Sequence, residues 1–482
     1  MTPVNTLPAS AKYSHMVSRF TAVVVSVLAS CAVQGRGVSP YLPLHLSPEY
    51  ARLVERVMVL ADQPIITRPI AAATVLDALP AACELDAALC VQVRRYLSGY
   101  MKTVGISHAS LAVAATSSER TALPNRHGMP SDSGYEASIM AYWQPSDYVL
   151  ISVGGLAYED QAVPTGSVIS IGMEYAQLDI GYRDHWFSPM TDSAMLQSTQ
   201  MQTMPSVTLS NYTPLTRWGL RYEFFIAEMS ESDRIRFEDR FTSGNPRLAG
   251  FHISIQPLAG WSLGFNRIMQ YGGGERPDSF GDLWDAFFDP AGKDNAATAG
   301  DDFGNQAASI TSRLIIPAAT PFSVYFEYAG EDTSKSSNFH LGNAALSGGV
   351  YFPTLWEKFD LTVEISEWQN GWYVNGIYFD GLRHEGNVVG HWGGDWRVLG
   401  DGVGANSFMT RLGWQTDSGA IVEATYRTLD NESYTAPDYE RAHSLQVRYS
   451  RAWDEFFIGA ELDLGSDVFG ASFSRVSAFI RF

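Results

Sequence analysis

At 482 residues the chain can hold several ordinary domains or one large barrel with an appendage. Charged residues make up only 18% and aromatics 12%, with 42 Gly, 23 Tyr and 12 Trp, a balance that suits aromatic girdles and turn glycines better than a helix-rich enzyme. The formal charge of -19 argues against nucleic acid as a partner, because phosphate binding needs a basic face.

Residues 1–37 have the order of an export signal. Lys12 and Arg19 precede the apolar run Phe20–Ala32, which is too short to span a bilayer and suits a signal core. Leu28-Ala29-Ser30-Cys31 resembles a lipoprotein processing box, and ordinary cleavage a few residues later is equally readable. Residues 38–104 are expected to form a small periplasmic helical bundle able to act as a plug. Ser47-Pro48 supplies an N-cap followed by Pro at the first helical position. Tyr50, Leu53, Val54, Val57 and Ala61 then share one helix face. Thr67 and Pro69 start a second helix predicted to end at Pro80, and a third is predicted from Glu84 to Tyr100. Export permits a disulfide between Cys83 and Cys90. Inside one helix their separation is about 10 Å, too far to bridge, so a bond needs Cys83 to sit before the helix; the other reading is two buried thiols.

Residues 105–482 change to a period of two. Leu361, Val363 and Ile365 alternate with Asp360, Thr362, Glu364 and Ser366, and Leu445, Val447 and Tyr449 with Gln446, Arg448 and Ser450. The last strand alternates Val476, Ala478, Ile480 and Phe482 with Arg475, Ser477, Phe479 and Arg481. One face suits lipid, the other a polar lumen. Glu223, Glu327, Glu364, Glu423, Glu461, Asp463, Arg221, Arg313, Arg427, Arg448, Arg475 and Arg481 are predicted to face inward and to pair with one another.

Tight turns are expected near Pro145, Tyr175, Tyr212, Leu258, Pro317, Pro353, Asp417 and Trp453. They alternate with longer segments near 117–134, 159–165, 184–205, 229–245, 271–304, 330–338, 369–404, 430–441 and 465–471. That alternation implies a transmembrane antiparallel β-barrel of about eighteen strands with both strand termini on the periplasmic side.

Three loop patterns carry a family resemblance. They are Gly181-Tyr182-Arg183-Asp184-His185-Trp186-Phe187-Ser188-Pro189, then Phe265-Asn266-Arg267-Ile268-Met269-Gln270-Tyr271-Gly272-Gly273-Gly274-Glu275-Arg276-Pro277 continuing to Gly304-Asn305-Gln306, and Leu382-Arg383-His384-Glu385-Gly386-Asn387-Val388-Val389-Gly390-His391. Together they resemble the Wzi family of capsule-assembly outer-membrane proteins. The first pattern departs at Phe187-Ser188-Pro189, where Trp-Gly-Pro is expected. The resemblance implies a lectin-like barrel of eighteen strands with a periplasmic bundle, which attaches or organises exported polysaccharide and is not an enzyme.

Within those loops Arg183, His185 and Trp186, with Asp184, are candidates to stack on sugar rings and to bond hydroxyls or uronates; the alternative is a structural cluster folding the loop into the barrel mouth. Arg267, Gln270 and Arg276, with Glu275, flank a glycine triplet. They are read either as an anionic-glycan contact or as a loop turning back into the lumen and pinned by Arg–carboxylate pairs. It is not a phosphate loop, since the Gly-Lys-Ser/Thr ending is missing. Arg383, His384, Trp392, Trp396 and Arg397, with His391 and Asp395, give 369–404 a cationic–aromatic surface, the preferred contact region for an acidic polysaccharide, with loop packing as the alternative. Asp278, Asp282, Asp285, Asp289, Asp294, Asp301 and Asp302 cluster oxygens of the kind that hard divalent cations take, but they lack EF-hand spacing and are read in preference as a solvated acidic loop. No metal or cofactor is called for, and neither a nucleophile elbow nor a zincin motif occurs.

The expected partners are an acidic surface polysaccharide, outer-membrane lipid and the barrel-insertion machinery through Phe482, with the chain a monomer in the outer membrane of a Gram-negative bacterium. The competing functions are a diffusion channel and an outer-membrane hydrolase.

Overall fold

Strands whose side chains alternate between apolar and polar can bury both faces only by closing on themselves in a membrane, and that is the architecture found. The structure, a computed structural model, describes residues 37–117, 120–288, 303–334, 337–433, 438–453 and 455–482. The export segment with Cys31, the aspartates 289, 294, 301 and 302, and Asp454 of the Trp453 turn lie outside the described residues. Among the described residues, eighteen antiparallel strands form one closed barrel. The first, Val104–Thr116, pairs with the last, Ser472–Arg481, with Leu111 opposite Ile480 and Val113 opposite Ala478. In the last strand Phe473, Arg475, Ser477, Phe479 and Arg481 are buried inside, while Val476 and Ile480 are exposed on the outer wall.

Most turns fall near the expected places. The Pro353-Thr354 pair instead lies within the strand Ser337–Leu355, and the chain reverses at Trp356 and Glu357, both with positive φ. Segment 330–338 is not a long loop: the strands Phe322–Ser334 and Ser337–Leu355 continue through it as a tall hairpin, because Asp332 and Thr333 still pair across it with Gly342 and Leu341. Segment 229–245 is partly ordered as a hairpin of Ser232–Phe237 and Arg240–Gly244.

Among the described residues, three helices precede the barrel: α1 (Pro48–Leu60), α2 (Ala72–Leu85) and α3 (Ala87–Leu97). A fourth, α4 (Phe280–Phe288), follows the glycine triplet. Leu53, Val54, Val57 and Met58 of α1 pack on Val75, Leu79, Val93 and Leu97 of α2 and α3. The opposite face of α1 is charged, buried and paired to the barrel wall: Arg52 with Asp360 at 2.5 Å, Glu55 with Arg313 at 2.5 Å, Glu49 with Arg481 at 2.7 Å. α1 is therefore seated in the barrel mouth. Ser47 makes no cap bond; its Oγ is 2.8 Å from His108 Nδ1 on the wall.

α2 runs through Pro80, contrary to the sequence reading. Pro80 lies on the exposed face, and burial of Ala78, Leu79 and Ala82 outweighs the missing backbone bond. The break comes at Asp86, whose Oδ1 accepts from Leu89 N at 2.9 Å and caps α3. Cys83 thus ends one helix and Cys90 begins the next, with Cα atoms 5.0 Å apart, and the two are joined by a disulfide.

Candidate functional site

The lumen is filled from both ends. The connection 182–205 folds inward and is almost wholly buried, with Trp186, Phe187, Met190, Ala194, Met195 and Leu196 at 0% exposure. Backbone groups in so buried a loop need acceptors, and the wall provides them. Glu364 accepts from Thr191 N at 2.6 Å, Asp192 N at 3.1 Å and Ser193 N at 3.2 Å, and Glu327 accepts from Ser188 Oγ at 2.7 Å. The inward charges pair with one another only in part: Arg448 bridges Glu423 at 2.9 Å and Glu461 at 2.6 Å, whereas Arg313, Arg427 and Arg481 take Glu55, Asp192 and Glu49 from the bundle and the inner loop.

A second connection, 369–404, lies over the first. Ser198 Oγ donates to Gly390 O at 2.5 Å, and Tyr373 Oη donates to Met195 O at 2.6 Å. A Cβ on Gly390 would stand 2.1 Å from Met195 O, so only glycine permits this approach. Asp192 ties both loops to the wall: it takes Arg427 Nη2 at 2.7 Å and Nε at 3.0 Å, and Trp392 Nε1 at 3.0 Å. Burial alone would raise the Asp192 carboxyl; Arg427 outweighs it and holds the group below the ordinary carboxylate range.

The loop residues singled out in the sequence are mostly fastenings of this seal. Arg183 pairs with Asp179 at 2.8 Å and Glu223 at 2.6 Å, beneath Tyr41, and His185 Nδ1 lies 2.7 Å from the same Glu223. Trp186 donates to Met190 O at 2.9 Å and has no exposed face for a sugar. Gln270 Nε2 donates to Gly381 O at 3.3 Å, and Trp396 Nε1 to Ala122 O at 2.9 Å. Arg383 pairs with Asp395 at 2.5 Å and donates to Gly394 O at 2.7 Å; Arg397 donates to Val403 O at 3.0 Å and to Trp372 O. The 369–404 loop therefore turns its cations and indoles inward.

His384 and His391 each accept a backbone N–H on Nδ1, from Ser230 at 2.9 Å and Gly393 at 3.0 Å. Burial lowers both to about 4, so both are neutral at physiological pH.

The glycine-triplet loop is pinned by Arg–carboxylate pairs, Arg240 with Glu275 at 2.6 Å and Arg247 with Asp278 at 2.8 Å, but departs from the sequence reading in its direction. Gly272, Gly273 and Gly274 all have positive φ, at 68°, 80° and 58°, and turn the chain over the rim rather than into the lumen. Arg267 faces outward on its strand, under α4, and its guanidinium meets the carbonyls of Ala286 at 2.9 Å and Phe287 at 2.7 Å and the side-chain oxygen of Gln306. Arg276 is buried and donates to Arg236 O at 3.1 Å.

The exposed polar–aromatic surface lies elsewhere, at the end of the barrel opposite the helices. Segment 377–379 adds to the 232–244 hairpin as a third strand, with Arg236 N donating to Ile377 O at 2.8 Å and Phe379 N to Arg234 O at 3.1 Å. Ile235, Ile377 and Tyr378 pack beneath this cap. Because Ile235 points down, Arg234 and Arg236 point out, and Phe241 lies directly opposite Arg236. Phe241, 54% exposed, meets Phe379 edge-on at 4.9 Å. The alternation Asp233-Arg234-Ile235-Arg236-Phe237 around a Glu238-Asp239 turn is a hairpin signal that the polarity of the segment obscured.

Comparison with known proteins places this architecture. The family model described as capsule assembly protein Wzi matches residues 135–458. The chain belongs to the Wzi family. A curated relative, an uncharacterized 55.8 kDa protein in the cps region of Klebsiella pneumoniae, is 27% identical over 179 residues, 34% of this chain; the match spans about a third of that relative's length, at 33%. Escherichia coli Wzi, an outer membrane protein involved in group 1 capsule assembly and a carbohydrate-binding β-barrel, superposes with a TM-score of 0.69 at 16% identity, over 93% of this chain and 99% of that one. At that identity the likeness speaks for the shared fold of the two Wzi barrels.

Proposed function

We propose that the protein is a non-enzymatic outer-membrane component of surface-polysaccharide attachment or assembly, binding capsular or exopolysaccharide on its outer side. Family membership supports the process, and the arginine–phenylalanine cap supports the contact. Arg236 suits uronate carboxylates, Arg234 stands beside it in an exposed pair with Asp380 at 3.2 Å, and the exposed edge-packed rings suit sugar C–H faces. An acidic polysaccharide fits this surface, and many weak contacts along one glycan would add through multivalency.

The filled lumen is the observation that separates this reading from a diffusion channel. Planar-bilayer recording tests it, and large steady conductance would favour the channel. Glycan binding by the purified protein, with loss of cell-attached capsule in a deletion strain, tests the main proposal. Normal capsule retention in that strain would overturn it.

A further inference from the structure

α4 lies on the outside of the barrel. Its neighbours Ala249, Phe251, Arg267 and Met269 share the outward face with Ile253, 41% exposed, and Phe265, 43% exposed. The row above them, Glu228, Arg247 and Tyr271, is polar, and Arg247 reaches Asp278 at 2.8 Å just before the helix. α4 therefore covers the topmost apolar rows of the lipid-facing wall, directly below the outer rim.

The helix has three distinct sides. Leu283 and Ala286 are buried on Ala249, Met269, Tyr271 and Phe303, and Phe287 packs on Phe251 with ring centroids 4.6 Å apart and planes tilted by 42°. Phe280, Trp284 and Phe288 recur every four residues on a second side and are 52%, 51% and 61% exposed. Asp285 is exposed beside them. An arginine on a lipid-facing wall is costly unless covered, and Arg267 is covered by this helix, whose last carbonyls it satisfies.

We propose that α4 is an interfacial anchor: its Phe280–Trp284–Phe288 stripe is immersed at the headgroup–acyl boundary of outer-leaflet lipid, while Asp285 faces water. The occupant is lipid because the stripe continues the exposed apolar wall without a break, and because an aromatic-rich amphipathic helix at this height repeats the design of an interfacial helix. The anchor does not depend on the glycan reading.

Nitroxide labels at W284C, F288C and D285C, each in the full chain reconstituted in phosphatidylethanolamine/phosphatidylglycerol vesicles, test this by collision with oxygen and with a nickel chelate. Each variant also carries C31S, and the Cys83–Cys90 disulfide leaves those two sulfurs unlabelled. Labels at 284 and 288 are expected to have an oxygen-to-nickel accessibility ratio several-fold above that at 285. Ratios equal to that at 285 would overturn the anchor, as would protection from both agents with spin–spin broadening, which would mark a second barrel as the occupant. Arg267→Ala, with barrel folding checked by heat-dependent gel mobility, is expected to mobilise the 284 label; an immobile label in the folded variant, or in F287S should that variant fail to fold, would overturn the pinning.

Discussion

Replacing Asp192 by Ala removes a carboxylate that joins the wall, the inner loop and the outer loop. Breaking a buried ion pair from one side costs about 3–5 kcal/mol. Arg427 keeps 11% of its side chain exposed, toward an internal polar chamber of about 140 Å³, so its share falls to about 2 kcal/mol. The Trp392 indole N–H, 3.0 Å from Asp192, loses its acceptor in a fully buried setting, adding about 1–2 kcal/mol. Local opening should therefore become easier by about 3–4 kcal/mol, or roughly a hundred- to a thousandfold in population. The barrel wall itself is untouched. Hydrogen exchange would show this as lost protection over 191–200 and 388–396, with strand amides unchanged, and bilayer recording would show intermittent conductance. Asp192→Asn keeps an acceptor for Trp392 and should fall between the two. Protection of both loops equal to the parent protein in the Ala variant would refute the view that Asp192 fastens the seal.

Arg236→Ala and Phe241→Ala, on the exposed cap, should each weaken binding of an acidic polysaccharide about three- to tenfold, consistent with about 1 kcal/mol per charge-assisted or ring contact, with heat-dependent gel mobility unchanged. His384 and His391 should make the outer loop acid-sensitive. Their folded values near 4 lie below the unfolded value near 6.5, so the unfolded loop binds more protons in that window. Stability is present above about 6.5 and is lost as pH falls toward 4, by at most about 3 kcal/mol for each ring. Limited proteolysis at pH 7 and pH 4.5 checks this, and His391→Asn should blunt the difference. Reducing Cys83–Cys90 should loosen the α2–α3 junction by about 2.5 kcal/mol on the loop-entropy account, seen as faster exchange at residues 80–95 without loss of the barrel.

The barrel was legible because its signal is repeated in every strand. Val476 and Ile480 outside, Arg475 and Arg481 inside, follow from alternation alone. The turn–loop rhythm carried the strand number even where single turns were misplaced, as at Pro353. The direction of the loops was not legible. Trp392 and Arg383 have the composition of a sugar-binding surface, yet their partners are Asp192 on another loop and Asp395 a turn away, and burial of an indole is settled only when those loops meet. Arg267 was harder still: outward or inward differs by one residue of register, and only α4 makes the outward position tolerable. The Arg234–Arg236–Phe241 surface escaped notice because a short charged hairpin looks like a solvated loop.

The pair between Glu49 and Arg481 has a consequence for how the molecule is made. Glu49 stands at the start of α1, and Arg481 near the end of the last strand, so the two ends of the described chain hold complementary halves of one buried contact. The helix can be fully fastened only once that strand has met Val104–Thr116. Locking of the helical stopper thus waits on completion of the wall. A molecule whose last strand has not closed cannot hold its stopper fully fast.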